Sequence, residues 1–410
     1  MSCHRGPAHR QPRGGERARR PGPSGGDHPT DPGCRPAPPE RAGRRTTRGH
    51  PGLGPRRGLT PADRSAAAPT GSTHGRRAPG SLGSPLVTTE QVSIGIDIGG
   101  TKVAGGVVSA DGSILARLRR ETPHRSTSPA VVEDVIVGVV EELMCGLDPD
   151  QVLAIGIGAA GFVAADRATV VFAPHLSWRD EPLRDRLGKR ITKPVFIDND
   201  ANAAAWAEWR FGAARGESHL VMITLGTGIG GGLLIDGEVL RGRFGIAGEF
   251  GHMQVVPDGH RCECGNRGCW EQYASGNALV REARAMVTAR SPIAMDMIAR
   301  INGDASRLTG PLVTEAAKAG DRMAVELLTE IGTWLGVGIA SLAAAFDPGM
   351  FVIGGGVSAA GDLLLEPARQ AFSRQLTGRG YRPEASIVVA QLGNDAGLIG
   401  AADLARSSVM

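Results

Sequence analysis

The chain has 410 residues, enough for two or three domains, and its net charge of +4 is unevenly distributed. Residues 1–86 carry 16 Arg against 5 Asp and Glu, a net charge of +11. Residues 87–410 carry 30 Lys and Arg against 37 Asp and Glu, a net charge of −7. Because this larger part is mildly acidic, the overall basicity gives no support for a nucleic-acid partner, and we expect none.

Residues 1–86, called the tail below, have the composition of a disordered segment. Gly and Pro supply 31 of these 86 residues, and Val, Ile, Phe, Trp, Tyr and Lys do not occur among them. Such a segment cannot bury enough apolar surface to offset its chain entropy. A transit peptide and a basic arm for nucleic acid are alternatives, whereas the apolar run of a secretory signal is missing. We interpret the tail as structureless, and a start near Val87 would leave a well-formed protein.

The remaining residues alternate between strand and helix patterns. Apolar and alternating runs predict strands at 92–98, 103–108, 114–119, 152–158, 195–197, 220–225, 233–235, 350–353 and 386–390. Helical periodicity predicts helices at 129–143, 201–211, 277–290, 311–319, 321–346 and 395–406. This alternation favours α/β sheets covered by helices. A strand, a glycine turn and a second strand occur twice, around Gly99 and around 226–232, which is typical of a duplicated domain with a cleft between its halves.

The longest uncharged helical stretch, residues 331–346, is shorter than the roughly 17–25 apolar residues that span a membrane. Gly332, Gly336 and Ala340 recur within it at four-residue spacing, which suits the close approach of another element. We therefore predict a core helix, no membrane partner and a cytoplasmic location.

The first glycine turn contains Asp97, Gly99, Gly100, Thr101 and Lys102 and lies between two predicted strands. Glycines allow backbone N–H groups to approach an anion, so the turn suits phosphate. The Asp97 carboxylate is placed to hold Mg²⁺, directly or through water. A plain hairpin with a structural aspartate is the alternative interpretation.

Two further glycine turns follow predicted strands, at 226–232 and after residue 353. The first of them contains G-x-G-x-x-G, but a strand follows it, whereas the dinucleotide-binding fingerprint must open a helix. A Walker A loop is also missing from the sequence. We expect phosphate or a flat group such as adenine to contact these turns, at Gly226, Thr227, Gly228, Gly230, Gly354, Gly355 and Gly356.

Cys262, Cys264 and Cys269 form a C-x-C-x-x-x-x-C pattern, and His252 lies ten residues upstream. Three thiolates and an imidazole are a tetrahedral ligand set for structural Zn²⁺. A disulfide is disfavoured because Cys262 and Cys264 are too close in sequence for comfortable bridging; an unliganded thiol cluster is the remaining alternative. Since the loop 256–270 has almost no apolar residues, the metal would order it, contributing on the order of 10 kcal/mol.

Carboxylates lie near this cysteine pattern and near the predicted cleft. The sequence has no H-E-x-x-H, which argues against a zinc protease. Glu249, His252 and Glu271 suit a polyhydroxylated ligand, because carboxylates and imidazole accept hydrogen bonds from hydroxyl groups; solvated surface acids are the alternative. Asp198 and Asp200 follow an apolar strand, and spacing alone does not decide which is the better candidate for a catalytic base.

These motifs together resemble the ROK family of sugar kinases and repressors, and within it the ATP-dependent glucokinases. The resemblance covers residues 90–406 and is carried by the segments 97–102, 198–205, 225–232 and 245–276. It implies an α/β fold of the duplicated actin-like, ribonuclease-H type, with two lobes and a central cleft. The small lobe would comprise residues 87–204 and the C-terminal helix at 392–410, and the large lobe, with the zinc loop, residues 205–391.

The resemblance also implies phosphorylation of glucose at its 6-hydroxyl by ATP, with Mg²⁺ and a structural Zn²⁺. Asp200 would be the general base, and the ATP phosphates would contact the glycine turns. His252 would bind the sugar and ligate zinc through its other ring nitrogen. The implied sugar-binding residues are Gly161, Asn199, Asp200, Glu249, His252 and Glu271.

Several alternatives share this resemblance. The substrate could be another hexose, such as N-acetylglucosamine, N-acetylmannosamine or fructose. A polyphosphate donor is disfavoured because relatives that use it generally lack this zinc set. The family's repressors carry an N-terminal helix-turn-helix, for which the tail has too much Pro and Gly and no helical apolar pattern. Family members are commonly dimers or tetramers, so we expect a homo-oligomer.

Overall fold

The computed structural model describes residues 90–410, which belong to one compact unit. Its strands are β1 (Val92–Ile98), β2 (Lys102–Val108), β3 (Ile114–Glu121), β4 (Val152–Ala159), β5 (Phe162–Val163), β6 (Val170–Phe172), β7 (Arg179–Glu181), β8 (Val195–Asn199), β9 (Leu220–Leu225), β10 (Ile229–Ile235), β11 (Glu238–Val239), β12 (Met350–Gly354) and β13 (Ser386–Val389). Its helices are α1 (Pro129–Met144), α2 (Leu183–Gly188), α3 (Asp200–Phe211), α4 (Glu271–Ala274), α5 (Gly276–Thr288), α6 (Met295–Arg300), α7 (Gly310–Lys318), α8 (Arg322–Phe346), α9 (Asp362–Gln375) and α10 (Ala396–Ser407). The predicted disorder of the tail and the start near Val87 lie outside the described residues.

Two five-stranded sheets share one strand order. The first sheet has the order β3-β2-β1-β4-β8 and the second the order β11-β10-β9-β12-β13. In each, the first three strands along the chain pair antiparallel, and the next two run parallel to the first. The duplicated α/β architecture predicted from the two strand–glycine–strand patterns is therefore confirmed.

The first sheet is covered on both faces, which explains the nearly continuous apolar sequence of β1. Helix α1 packs on one face, and α10, from the end of the chain, packs against β1, β2 and β4. Glycines make room for α10: a Cβ on Gly95 would lie 2.0 Å from the Leu398 carbonyl oxygen, and one on Gly156 would lie 1.8 Å from that of Ala401. The last helix is thereby held against the strand that carries Asp97.

Helix α8 is long and apolar enough to cross a membrane by length and composition, but 61% of its most apolar window is buried in the fold. Two of its glycines face α9. A Cβ on Gly332 would lie 2.4 Å from the Leu364 carbonyl oxygen. On Gly336 it would lie 2.2 Å from that of Ala368. The predicted core helix with a closely packed neighbour is confirmed. The periodicity does not predict α9 itself, whose interior contains Pro367.

A small third sheet, β5-β6-β7, was not predicted. Its strands are only two or three residues long, so they show no alternation that a sequence pattern could detect. It begins next to Gly161, and a Cβ on that glycine would lie 2.5 Å from the Phe172 carbonyl oxygen. This sheet therefore sets the position of Gly161 beside the first sheet.

Candidate active site

Carboxylates gather at one edge of the first sheet. Asp97 of β1 is in register with Gly158 of β4, which in turn is in register with Asp198 of β8. These three strands are parallel, so their carboxyl ends meet at the same edge, which is where α/β sheets bind ligands. A Cβ on Gly158 would lie 3.5 Å from the Asp200 Cα, so the absence of a side chain leaves that edge accessible to Asp200.

Asn199 holds the beginning of α3 in place. Its side-chain oxygen accepts hydrogen bonds from the backbone N–H groups of Ala201 at 2.8 Å and Asn202 at 3.1 Å. Its amide nitrogen donates to the Gly161 carbonyl oxygen at 3.1 Å. Asn199 is thus a helix cap tied to the segment before the third sheet, and two predicted sugar-binding residues, Asn199 and Gly161, are brought together.

The structure distinguishes the two aspartates that the sequence spacing leaves equivalent. Asp198 is 4% exposed, and its Oδ2 accepts hydrogen bonds from Arg241 Nε at 2.9 Å and Nη2 at 2.6 Å. Its Oδ1 accepts from Asn202 Nδ2 at 3.2 Å and from the Asn199 N–H at 3.0 Å. Within residues 90–410, the Asp200 carboxylate has one such bond, from the Ala201 N–H at 3.0 Å. Asp198 is therefore occupied by structural contacts, and Asp200 keeps its acceptor capacity for a ligand.

Acidic groups from several segments of the chain perturb one another in this region. Burial, together with the charges of Asp97 and Glu249, raises the pKa of Asp200 to about 7. Burial and the charge of Glu271 raise the pKa of Glu249 to about 7 as well. Burial also raises the pKa of Asp97, although Lys102 Nζ, 3.7 Å from its Oδ2, acts against the shift. Such a concentration of perturbed carboxylates is typical of a functional site and favours cations and hydroxyl donors.

The first glycine turn is closed by backbone and side-chain contacts. The Gly99 N–H donates to the Lys102 carbonyl oxygen at 2.9 Å, and Thr122 Oγ1 donates to the Gly99 carbonyl oxygen at 2.7 Å. A Cβ on Gly100 would lie 2.9 Å from the Cβ of His175. The exposed tip at Gly100 and Thr101 therefore lies between Asp97 and the loop that carries His175.

The second and third glycine turns meet at the ends of neighbouring strands β9 and β12. The Gly226 N–H donates to the Gly228 carbonyl oxygen at 3.0 Å, and the Gly226 carbonyl accepts from the Gly276 N–H at 2.8 Å. Gly355 has a φ of 80°, and a Cβ there would lie 2.5 Å from the Leu225 carbonyl oxygen, so a glycine is required. The residues brought together in these turns are Gly226, Thr227, Gly228, Gly354, Gly355 and Gly356.

The prediction that the whole segment 226–232 forms a turn was wrong. Strand β10 begins at Ile229 rather than at residue 233, and Gly230 pairs with Thr224 of β9. A Cβ on Gly232 would lie 2.7 Å from the Ala201 carbonyl oxygen, and one on Gly231 would lie 2.4 Å from that of Gly248. These glycines allow α3 and the segment before Glu249 to pack closely on β10, which explains Gly230–Gly232 without phosphate.

The four predicted metal ligands lie together. The ligand atoms of His252, Cys262, Cys264 and Cys269 are all within 4.8 Å of one another. Cys264 Sγ is 3.6 Å from Cys269 Sγ, and His252 Nδ1 is 3.6 Å from Cys262 Sγ. Tetrahedral zinc with bonds of about 2.3 Å to sulfur separates its ligand atoms by about 3.8 Å. The donor set and its spacing therefore fit Zn²⁺.

Glu271 lies between the metal-ligand cluster and the second glycine turn. Its Oε1 is 3.0 Å from Cys262 Sγ and 3.7 Å from His252 Nδ1. A Cβ on Gly228 would lie 2.4 Å from its Oε2. Since the charge of Glu271 also acts on Glu249, the two predicted sugar-binding acids lie near the second glycine turn.

Two arginines at Asp198 were not predicted. Arg241 follows β11, and Arg167, in the turn between β5 and β6, places its Nε 3.4 Å from Asp198 Oδ2. Neither arginine belongs to a recognisable motif, so no local spacing marks it as a partner of Asp198. Only the folded chain reveals that both contact the aspartate before Asn199.

Comparison with known proteins identifies the family to which this chain is similar. Residues 93–408 match the model of the ROK family. A glucokinase from Streptomyces coelicolor is 48% identical over 315 residues, which are 77% of this chain and 98% of the relative. A putative xylose repressor from a Caldicellulosiruptor species is 36% identical over 279 residues, which are 68% of this chain and 69% of the relative.

A solved structure shows the same fold. The crystal structure of a ROK family glucokinase from Streptomyces griseus, in complex with glucose and AMPPNP, is 49% identical to this chain, with a TM-score of 0.71. The match covers 77% of this chain and 99% of that one. The predicted two-lobed, actin-like sugar kinase fold is therefore confirmed, and the chain belongs to the ROK family.

Proposed function

We propose that this enzyme transfers the terminal phosphoryl group of ATP to the 6-hydroxyl of glucose. The observation that carries the proposal is the contrast between Asp198, whose oxygens are occupied, and Asp200, whose carboxylate is available beside the charges of Asp97 and Glu249. Phosphoryl transfer depends mainly on positioning and charge neutralisation, for which a cleft lined by acids and glycine turns is suited. The kinase relative is matched over 98% of its length and the repressor over 69%, which favours catalysis over regulation.

Asn199, Asp200, Glu249, His252 and Glu271 would bind the sugar. Carboxylate oxygens accept hydrogen bonds from hydroxyl groups, and the Asn199 side chain is held in place by its cap and by Gly161. His252 turns Nδ1 toward Cys262, so its Nε2 is the ring nitrogen left for a hydroxyl group. The sugar would thus be held between the end of β8 and the segments around His252 and Glu271.

Asp200 would act as the general base. Its carboxylate would accept the proton of the 6-hydroxyl, and a base with a pKa of about 7 is well matched to this task near neutral pH. General-base assistance of this kind contributes about a hundred- to ten-thousand-fold to the rate. Asp198 would serve the reaction only through its contacts with Asn199 and Asn202.

The nucleotide would contact the glycine turns. When bound, Mg-ATP supplies the phosphoryl group and a cation that neutralises its charge. Asp97 would hold Mg²⁺, directly or through water, while backbone N–H groups at 99–101 and 226–228 would bind phosphate oxygens. The turn at 354–356 would lie against the adenine. A zinc ion held by His252 and the three cysteines would order the loop that positions Glu271.

A coupled assay of ADP release across a panel of hexoses tests this proposal. We expect turnover with glucose and ATP, and little with N-acetylglucosamine, N-acetylmannosamine or fructose as the acceptor. Because transfer from polyphosphate releases no ADP, that donor is tested by measuring the sugar phosphate directly, and we expect little of it. The zinc-loaded protein and the Asp200→Asn variant should be compared, the latter retaining glucose affinity within a few fold. A protein that releases no ADP with any hexose would contradict the kinase assignment. Preference for another hexose would correct the substrate alone.

A further inference from the structure

The segment 240–247 crosses from the second sheet to the first. It follows β11 and leads directly to Gly248 and Glu249. The Ala247 N–H donates to the Arg241 carbonyl oxygen at 3.0 Å, which closes the segment into a loop. A Cβ on Gly245 would lie 2.3 Å from the Val163 carbonyl oxygen of β5. One end of this loop therefore follows the second sheet, and its tip packs on β5 of the third sheet, which contacts β8 of the first.

Arg241 makes the polar contact across this boundary. Its Nε and Nη2 both donate to Asp198 Oδ2, and the Arg241 side chain is 22% exposed and that of Asp198 5%. Nη1 donates to the Val239 carbonyl oxygen at 3.3 Å, so the guanidinium is also anchored to β11. An ion pair held by several charge-assisted hydrogen bonds and shielded from solvent is geometrically specific.

The same aspartate holds the backbone that carries the candidate base. Asp198 Oδ1 accepts from the Asn199 N–H and from Asn202 Nδ2, on either side of Asp200. Through Asp198, Arg241 acts on the first turn of α3; through the closed loop 241–247, it acts on the segment that leads to Glu249. Within residues 90–410, Arg241 is the residue that connects Asp198 to the side of the second sheet, through two hydrogen bonds.

We propose that the ion pair of Arg241 and Asp198, called the latch below, connects the two large sheets and fixes the position of Asp200 relative to Glu249. Arg241 is thereby a positioning residue for phosphoryl transfer. The expected effect of the latch on kcat rests on the proposed function of Asp200. Displacing a reacting group by about 1 Å can cost about a hundredfold in rate, so a loosened latch lowers kcat even when the sugar still binds.

Arg167 contributes to the same aspartate in a different way. Its Nε is 3.4 Å from Asp198 Oδ2, and its Nε and Nη2 are buried without a hydrogen-bond partner. Its Nη1 donates to Ser408 Oγ at 3.2 Å, on the C-terminal side of α10. Arg167 therefore adds positive charge near Asp198 from the third sheet, whereas Arg241, which follows β11 of the second sheet, donates two hydrogen bonds to it.

The latch is tested with Arg241→Gln, Asp198→Asn and their double variant. Arg210→Gln is the matched control: Arg210 Nε lies 3.1 Å from the fully buried Asp403 carboxylate, at the other end of α3. We expect kcat to fall about ten- to a hundredfold in Arg241→Gln, with the glucose KM changed less than about threefold. The double variant should be no slower than the slower single variant, because the two residues act as a unit. Arg210→Gln should lose thermal stability but keep kcat within about twofold.

Arg241→Lys keeps the positive charge of the side chain but changes the geometry of its donors. It replaces Arg241→Gln in the test if that variant does not fold. A lysine cannot reproduce the two-donor contact, so kcat should stay at least about fivefold below that of the unmodified enzyme. Folded Arg241 variants with unchanged kcat, or an equal loss of kcat in Arg210→Gln, would overturn the proposal.

Hydrogen exchange provides a readout that does not depend on activity. The backbone amides of Asn199, Ala201 and Asn202 are hydrogen-bonded within the latched segment. We expect them to exchange at least about tenfold faster in Arg241→Gln and to be unchanged in Arg210→Gln. Unchanged exchange in Arg241→Gln would refute the latch. An unmodified protein that phosphorylates no hexose would instead refute the proposed function and leave this measurement valid.

Discussion

Replacing Asp200 by asparagine should abolish turnover and, at neutral and alkaline pH, stabilise the folded protein. The substitution keeps the size of the side chain and its acceptor oxygen for the Ala201 N–H, while it removes the charge and the basic group. Loss of the proposed general base should lower kcat by at least about a hundredfold. The stability gain follows from the environment that raises the pKa of Asp200.

The magnitude of that gain follows from linkage between protonation and folding. The pKa of Asp200 is raised from 3.8 to about 7 by burial and by the charges of Asp97 and Glu249. Between these two pH values the folded state keeps the proton and the unfolded state releases it. The free energy of unfolding therefore falls by about 1.4 kcal/mol for each pH unit as pH rises, or about 4 kcal/mol in all. Because the Asp200 side chain retains some solvent contact, we expect about 2–4 kcal/mol.

Urea unfolding of the unmodified protein and of Asp200→Asn, measured from pH 4 to pH 9, tests this prediction. The variant should gain nothing near pH 4, gain progressively up to about pH 7, and keep a constant advantage above it. Asp198→Asn is the matched control, because Asp198 lies two residues before Asp200, at the end of β8. It leaves Arg241 without its carboxylate partner and should be destabilised by about 3 kcal/mol or more.

Two results would refute this reasoning. If Asp200→Asn is less stable than the unmodified protein at pH 8, the carboxylate is not the strained group that its surroundings indicate. If both aspartate variants lose stability equally, the structural distinction between them fails. Near-normal turnover in Asp200→Asn would refute its assignment as the base, independently of its stability.

The remaining predictions concern pH, metal and the glycines. The kcat/KM for glucose should fall about tenfold for each pH unit below about 7, because a raised pKa leaves Asp200 protonated there; a pH–rate profile measures this. Removing zinc with a chelator should lower the melting temperature and raise the KM for glucose, since loop 256–270 would lose its ordering ion. Gly232→Ala should lower the free energy of unfolding by about 1–3 kcal/mol, because the added Cβ would meet the Ala201 carbonyl oxygen at 2.7 Å. Gly226→Ala meets no atom within 4 Å and should keep its stability, so an increase in its KM for ATP would report a phosphate contact.

The predictions on the pH–rate profile, on zinc and on Gly232 have clear contrary outcomes. A flat pH–rate profile between pH 5 and pH 8 would show that a group other than Asp200 takes the proton. Chelation that removes zinc without changing stability or glucose KM would make the metal dispensable for the sugar site. A fully stable Gly232→Ala would contradict the close packing of α3 on β10.

Short-range motifs carried most of what could be predicted. The four zinc-ligand candidates lie within 18 residues of one another, and the structure brings their ligand atoms together. The strands at the cleft end in short runs of polar residues and glycine, so the turns around Gly99 and Gly355 could be predicted from the local sequence. The repeated strand–glycine–strand pattern predicted the duplicated sheets, because strand pairing through a short turn is a local property.

Long-range packing explains what was missed. Gly230–Gly232 look like a phosphate turn, yet α3 and the Gly248 segment require them in a strand. Helix α9 was hidden by its internal Pro367, and its position depends on the glycines of α8. In both cases the deciding partner lies far away along the chain.

The sequence by itself determined the family, the order of most strands and helices, and the groups available for chemistry, since these depend on residue type and nearby spacing. Only the tertiary structure decided which aspartate stays available. Asp198 and Asp200 differ because a guanidinium 43 residues further along the chain donates to the first carboxylate, while the charges of Asp97 and Glu249 act on the second. Electrostatic surroundings arise when distant segments pack together, and no local pattern contains them.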